Sequence, residues 1–236
     1  MMYTYLFINL ASMAFPFAFS FEKSVRFVQY WKYLLPAMLI TSIPFLLWDQ
    51  FFSIHEVWGF NDRYVLPLRI GKLPLEEIMF FFAIPYASIF IYAAFNRYFP
   101  RNNFFERSSV FFSVLFLAAS VAGVVLYYDR WYTVVNCSFA VLLLSMQLFF
   151  IKGSYMGRFW RFYFIHLIPF FTVNGILTGT WLEEPVVWYN NAENMGIRIG
   201  TVPVEDSVYS LSLMLMNITL MEFFRSRNFV KDGHPH

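Results

Sequence analysis

The sequence predicts an all-α integral membrane fold: seven transmembrane helices, forming two parallel three-helix repeats joined by a linking helix. Three observations lead there. Apolar residues make up 59% of the chain and charged residues only 14%, whereas soluble domains carry about 25% charged residues. Seven apolar runs approach the roughly 20 residues a helix needs to cross a bilayer core. A nine-residue motif, R-I-G-x-φ-P-φ-E-[ED] with φ apolar, stands at 69–77 and recurs 129 residues later at 198–206.

The runs fall at about 3–20, 33–52, 77–96, 108–127, 133–151, 161–180 and 205–223. They are continuous rather than alternating, which argues against a barrel. No basic residue precedes the first run, whereas Lys23 and Arg26 follow it, so it is expected to act as a retained reverse anchor. Pro16, Pro44, Pro85 and Pro169 lie inside runs and are expected to kink them. The sixth run is the weakest, diluted by Arg161, His166, Asn174 and Thr178. After the seventh come Arg225, Arg227 and Lys231, expected to anchor on anionic lipid, and a tail with His234 and His236.

Twelve of the 17 Lys and Arg residues lie in the loops after runs 1, 3 and 5 and in the tail, counting Arg161 at the very start of the sixth run. The positive-inside rule then places the C-terminus in the cytoplasm and the N-terminus outside, in a cell inner membrane. Residues 1–236 are expected to form one transmembrane domain, with repeat 1 at about 3–97, the linking helix at about 108–127 and repeat 2 at about 131–225. Three spans alone would invert a directly joined copy. The extra fourth span restores the direction, so the repeats are parallel and both acidic motifs lie on one side.

Each motif ends in paired acids, Glu76-Glu77 and Glu205-Asp206, at the lip of an apolar run. Carboxylates there are costly and mark function by default. The plainer alternative is an ordinary helix start, since Pro and acids both favour the first turn. Duplication at equivalent positions favours chemistry. Arg69 and Arg198, seven residues before the first acid of each pair, are expected to orient carboxylates. Consecutive residues project about 100° apart on a helix, so one acid of each pair can face the bundle while its neighbour faces the loop. A protonated and an ionised carboxyl together make a general acid and base. Asp49, near the end of the second run, is a further candidate. The loops before the motifs are about 24 residues long and carry Trp58, Asn61, Trp188, Tyr189 and Asn190. With Trp48 and Asn174 these are the expected substrate-binding residues; aromatic faces attract cations. Asn61, Asn174 and Asn190 are expected to hold the acids by hydrogen bonds.

The duplicated P-x-E-[ED], the W-G-F-N at 58–61, the N-G-x-L-T-G at 174–179 and the V-W-Y-N at 187–190 together resemble the membrane lycopene β-cyclases of the small non-flavin type, over essentially the whole chain. The resemblance implies cyclisation of the linear ends of lycopene to β-ionone rings, giving γ-carotene and then β-carotene. That reaction is an isomerisation: one proton is added to the terminal double bond and another leaves the ring. Glu76, Glu77, Glu205, Asp206 and Asp49 would supply and accept the protons. No cofactor is implied; no Gly-rich dinucleotide fingerprint follows a strand, and no Cys/His cluster has metal-site spacing. The implied partners are lycopene or a related carotenoid, membrane lipid and other enzymes of carotenoid synthesis, with no nucleic acid.

Other classes remain in view. A C50, ε- or γ-ring cyclase would use the same residues, and so would a proton- or ion-coupled transporter. A retinal protein needs a Lys in the last span, and residues 205–223 contain none. An intramembrane prenyltransferase needs Asp-rich metal motifs, whereas the Asp residues here are scattered.

Overall fold

The computed structural model describes residues 2–100 and 103–231, with side chains as far as Arg227. His234, His236 and the Lys231 side chain lie outside the described residues. The described chain forms seven long helices: α1 (Thr4–Ala18), α2 (Trp31–Ile54), α3 (Leu75–Tyr98), α4 (Asn103–Leu126), α5 (Trp131–Ser145, prolonged by a π-helical segment, Met146–Ile151), α6 (Met156–Leu177) and α7 (Glu205–Lys231). Short strands occupy the two long loops: β1 (Trp58–Phe60), β2 (Arg69–Ile70) and β3 (Leu73–Pro74) before α3, then β4 (Val187–Tyr189), β5 (Arg198–Ile199) and β6 (Val202–Pro203) before α7. The fold is all-α and membrane-like.

Among the described residues, six helices are long and apolar enough to cross a membrane; α6 is not one of them. It has the length, 22 residues, but not the apolarity. The reason is its position, since it packs against α3, α4 and α7. Polar groups inside a bundle survive if other helices satisfy them. Arg161 donates to Phe99 O at 2.5 Å and to Asn96 Oδ1 at 2.8 Å, so its cation also caps the C-terminal end of α3. His166 Nε2 lies 2.7 Å from Ser210 Oγ. The helix also begins five residues before the expected 161. Arg158 and Arg161 mask that boundary in the sequence, yet Met156, Gly157, Phe159 and Trp160 between and around them are buried.

Helix pairing repeats between the halves. α1 packs on α3 as α5 packs on α7, while α2 crosses to α7 and α6 crosses to α3. Each repeat therefore completes itself on the other's third helix, around a core that includes Phe45, Phe81, Phe159, Tyr163, Leu211 and Ile218. α4 packs on α5 and α6, yet only Ser113, Ser120 and Gly123 of its 24 residues are buried.

The strands cover one end of this bundle. β2 with β3, and β5 with β6, form two tight hairpins. Gly71 (φ +64°) and Gly200 (φ +63°) turn them, a conformation that glycine adopts without Cβ strain. β1 of the first repeat pairs antiparallel with β4 of the second: Trp58 with Tyr189, Gly59 with Trp188, Phe60 with Val187. Since 129 residues separate equivalent positions, this register is self-complementary, as at a two-fold interface. Gly59 and Trp188 are equivalents and face each other at its centre. A Cβ on Gly59 would stand 2.4 Å from the Trp188 ring, so only glycine fits there.

Candidate active site

Strand alternation decides what the cross-repeat ribbon presents. Trp58, Phe60, Val187 and Tyr189 line a pocket beneath it, while Trp188 lies outside it and is 39% exposed. The floor and walls come from the helices: Tyr5 of α1, Asp49 of α2, Glu77 and Phe80 of α3, Tyr132 of α5, Asn174 of α6, and Asp206 and Tyr209 of α7. Both acidic motifs open on this one pocket, as parallel repeats require.

Each acid pair divides its labour, as consecutive positions on a helix must. The second acid lines the pocket. Glu77 Oε2 accepts the Tyr5 phenol at 2.6 Å. Asp206 Oδ1 accepts the Tyr132 phenol, and Asp206 Oδ2 accepts Tyr189 at 2.9 Å. The first acid turns away and clasps the loop that leads into its own helix. Glu76 Oε1 accepts Leu66 N at 2.8 Å. Glu205 Oε1 accepts Met195 N at 2.6 Å and the Thr133 hydroxyl at 2.7 Å. Their backbone carbonyls accept Asn9 Nδ2 at 2.8 Å and Asn136 Nδ2 at 2.6 Å. All four acids are buried.

Asp49 joins the lining acids. It is 1% exposed; its Oδ1 accepts the Tyr209 phenol at 3.0 Å, and it lines the same pocket as Glu77. Two carboxyls sharing one apolar pocket favour a proton on one of them. Around these groups the rings are close. Trp58 and Tyr132 meet edge to face at 5.1 Å between centroids, and Tyr132 and Tyr189 stack at 5.7 Å. Burial, and then the neighbouring Asp206 charge, push the Tyr189 phenol well above its ordinary range, so it stays a proton-bearing donor to Asp206.

Several expected roles do not match the geometry. Arg69 and Arg198 do not grip the paired acids. Arg69 reaches Lys72 O at 2.8 Å and pairs with Asp62; Arg198 reaches Thr201 O at 2.6 Å and Asn191 Oδ1 at 2.7 Å. Each guanidinium staples its own hairpin, because the turn brings the motif's carbonyl closer than its carboxyl. Asn61 and Asn190 do not hold the acids either. Their Oδ1 atoms accept Arg63 N and Ala192 N, two residues on, at 3.0 Å each, the local turn that Asn favours in loops. Asn174 lines the pocket, but its Nδ2 donates to Phe170 O of its own helix at 3.1 Å rather than to an acid. Of the expected substrate-binding residues, Trp58, Asn174 and Tyr189 line the pocket; Trp48, Asn61, Trp188 and Asn190 do not. Trp48 packs behind Tyr209, with ring centroids 5.0 Å apart. Glu183 and Glu184 bridge the two loops on the outside, to Arg63 at 2.6 Å and to Asn61 at 2.9 Å.

The tyrosines that hold the lining acids carry a sequence signal of their own. Tyr5 and Asn9 in α1, and Tyr132 and Asn136 in α5, are one Y-x-x-x-N written twice, 127 residues apart. On a helix the two side chains share a face, so one reaches the second acid and the other the backbone of the first.

Comparison with known proteins agrees with this internal symmetry. No curated protein and no solved structure matches the chain. The family model described as lycopene cyclase matches it twice, over residues 2–95 and 129–224. The unmatched stretch between them contains α4, the helix that the repeat geometry leaves over. With both three-helix units matched, acids and tyrosines included, the chain belongs to the lycopene cyclase family.

Proposed function

We propose that the protein is a lycopene β-cyclase that works by proton transfer alone, with Asp49 and Glu77 as the donor pair and Asp206 as the acceptor. The observation that carries this is three buried carboxyl groups, each held by a tyrosine, opening on one aromatic pocket.

The reaction balances without electrons. A proton from the Asp49–Glu77 pair adds to the terminal double bond of the linear end. The cation closes by forming one carbon–carbon bond, and the ring then loses a proton to Asp206. The carotenoid leaves as an isomer, and the proton returns to the donor pair by way of the pocket. Asp49 and Glu77 are both buried and line the same pocket, where two carboxyls favour holding a proton on one of them. Asp206 has both oxygens occupied by donated phenol hydrogen bonds, which suits the acceptor. The faces of Trp58, Tyr132 and Tyr189 attract the intermediate cation. Glu76 and Glu205 act as positioning residues, fixing the loop above each lining acid.

The charge distribution supports an orientation in which the covered end and the acids face the extracytoplasmic side and α7 ends in the cytoplasm.

Expression in a lycopene-accumulating bacterium, followed by pigment chromatography, tests the proposal. Accumulation of singly and doubly β-ringed carotenes is the expected result, abolished by Glu77→Gln in protein that inserts normally. Unchanged lycopene with the natural sequence, or full conversion by Glu77→Gln, would overturn it. ε- or γ-type rings would overturn the assignment of Asp206 as the base that selects the β-proton.

A further inference from the structure

The pocket must admit a substrate that lives in the hydrocarbon layer, and the two repeats differ in whether they let it in. Between α1, α3 and α6 runs an apolar groove of about 320 Å³, walled by Ser12, Phe15, Ala87, Ile91, Pro169 and Val173. Phe15, 62% exposed, and the exposed Pro169 stand at its outer side. Its inner end is shared with the acid pocket: Ile84, Phe170 and Asn174 line both. Along α3 it extends from Ile84 to Ile91, about 10 Å of helix. Its polar groups are few, and the Nε2 of His166 and the Nδ2 of Asn174 are already engaged within the protein.

The repeat supplies a counterpart. A second groove lies between α2 and α5, bordered by Pro44, Val134, Ser138 and Leu142. None of the residues around it lines the acid pocket. Its inner end is filled by Phe45, Trp48 and Phe139, interlocked with Tyr209: Phe45–Phe139 is 5.4 Å, Phe45–Tyr209 5.1 Å and Trp48–Tyr209 5.0 Å between centroids. Repeat equivalence identifies the plug. The 127-residue offset of α1 and α5 matches Phe139 to Ser12, and the 125-residue offset of α2 and α6, fixed by Ile-Pro-Phe at 43–45 and 168–170, matches Phe45 to Phe170 and Trp48 to Val173. Where the first groove has Ser12 and Val173, the second has the rings of Phe139 and Trp48.

We propose that the α1–α3–α6 groove is the single lateral door of the acid pocket, and that it holds the uncyclised polyene stem of a linear carotenoid while one end sits at the acids. This rests on the cyclase reading above. One door admits one end per binding event. The second end reacts only after the molecule leaves and returns reversed, so the singly cyclised carotenoid is released as a free intermediate.

Ser12→Phe copies the plug residue into the door, and Ala87→Leu narrows it. Both are compared with Ser138→Trp in the closed groove, using the full chain in lycopene-containing membranes. The door predicts at least a tenfold loss of ring formation for the first two and wild-type turnover for the third. A gentler probe does not depend on a bulky variant folding. Ala87→Cys is labelled by a lipid-soluble maleimide, and added lycopene slows that labelling several-fold, whereas Ser138→Cys labelling is unaffected. Wild-type turnover by Ser12→Phe and Ala87→Leu, equal protection of both cysteines, or doubly cyclised product with no free singly cyclised intermediate would each overturn the door while leaving the cyclase reading standing. A natural sequence that leaves lycopene unchanged would remove the cyclase reading, and the door with it.

Discussion

Around Glu77 the polar neighbours are the Tyr5 phenol and the Asp49 carboxyl; around Asp206 they are the phenols of Tyr132 and Tyr189. The frame is common to both half-sites. A Y-x-x-x-N helix holds each acid pair, the first acid clasps a loop amide, and an Arg staples each hairpin. The additions are not common. Asp49 is equivalent to Asn174, whose Nδ2 instead donates to Phe170 O of its own helix at 3.1 Å. Tyr189 is equivalent to Phe60, and Tyr209 to Phe80. One half-site gained a second carboxyl and the other a second phenol. A duplicated scaffold can thus be turned into a donor side and an acceptor side by changing the residues around two acids rather than the acids themselves.

The largest expected contrast lies within each acid pair. General acid–base groups contribute about 100- to 10,000-fold. Asp206→Asn should therefore lower ring formation by at least about 100-fold, whereas Glu76→Gln and Glu205→Gln, which keep an oxygen able to accept the loop amide, should stay within about tenfold of wild type. Pigment yield per folded protein measures this; equal losses would erase the distinction between lining and clasping acids. The next contrast is between equivalents. Asp49→Asn removes a carboxyl from the donor pair and should cost about 100-fold, while Asn174→Ala, at the equivalent position, should cost little. Similar effects for the two would mean that the asymmetry of the half-sites is not functional. Tyr189→Phe removes a donor to a buried carboxyl, a loss of about 1.5–3 kcal/mol for a hydrogen bond to a charged group. It should lower turnover by about tenfold, whereas Tyr5→Leu, which deletes both the bond and the packing on Phe80, should also lower thermal stability. The lid offers a reciprocal test. Gly59→Ala overpacks against Trp188 and should cost about 1–3 kcal/mol in thermal unfolding, and a combined Trp188→Ala change should recover most of it. The smallest effect belongs to Thr133→Val, expected at about 1 kcal/mol, because Glu205 keeps its bond to Met195 N.

Much of the plan was legible in the sequence. The acids at 76–77 and 205–206, Asp49, the seven helical runs and the linking helix could all be read from composition, spacing and charge, because burial in an apolar layer leaves a one-dimensional trace. The misreadings were of another kind. Arg69 and Arg198 sit seven residues from an acid in the chain, but a tight hairpin turn intervenes and returns each guanidinium to the backbone. Asn61 and Asn190 look like site residues by repetition, yet what repeats is a loop turn. Tyr5 and Tyr132 were missed because single tyrosines do not stand out in a chain with 15 of them; the repeat of the whole Y-x-x-x-N does.

By itself the sequence determined a membrane bundle of two like-facing three-helix units with acids at one end, since hydropathy, charge bias and an internal repeat are properties of order along the chain. The tertiary structure decided which acid of each pair meets the pocket, which tyrosine holds it, and which of two equivalent grooves adjoins the pocket. Those outcomes turn on the angle at which a helix presents one residue rather than the next, and on ring-to-ring packing between helices far apart in sequence, neither of which leaves a trace along the chain.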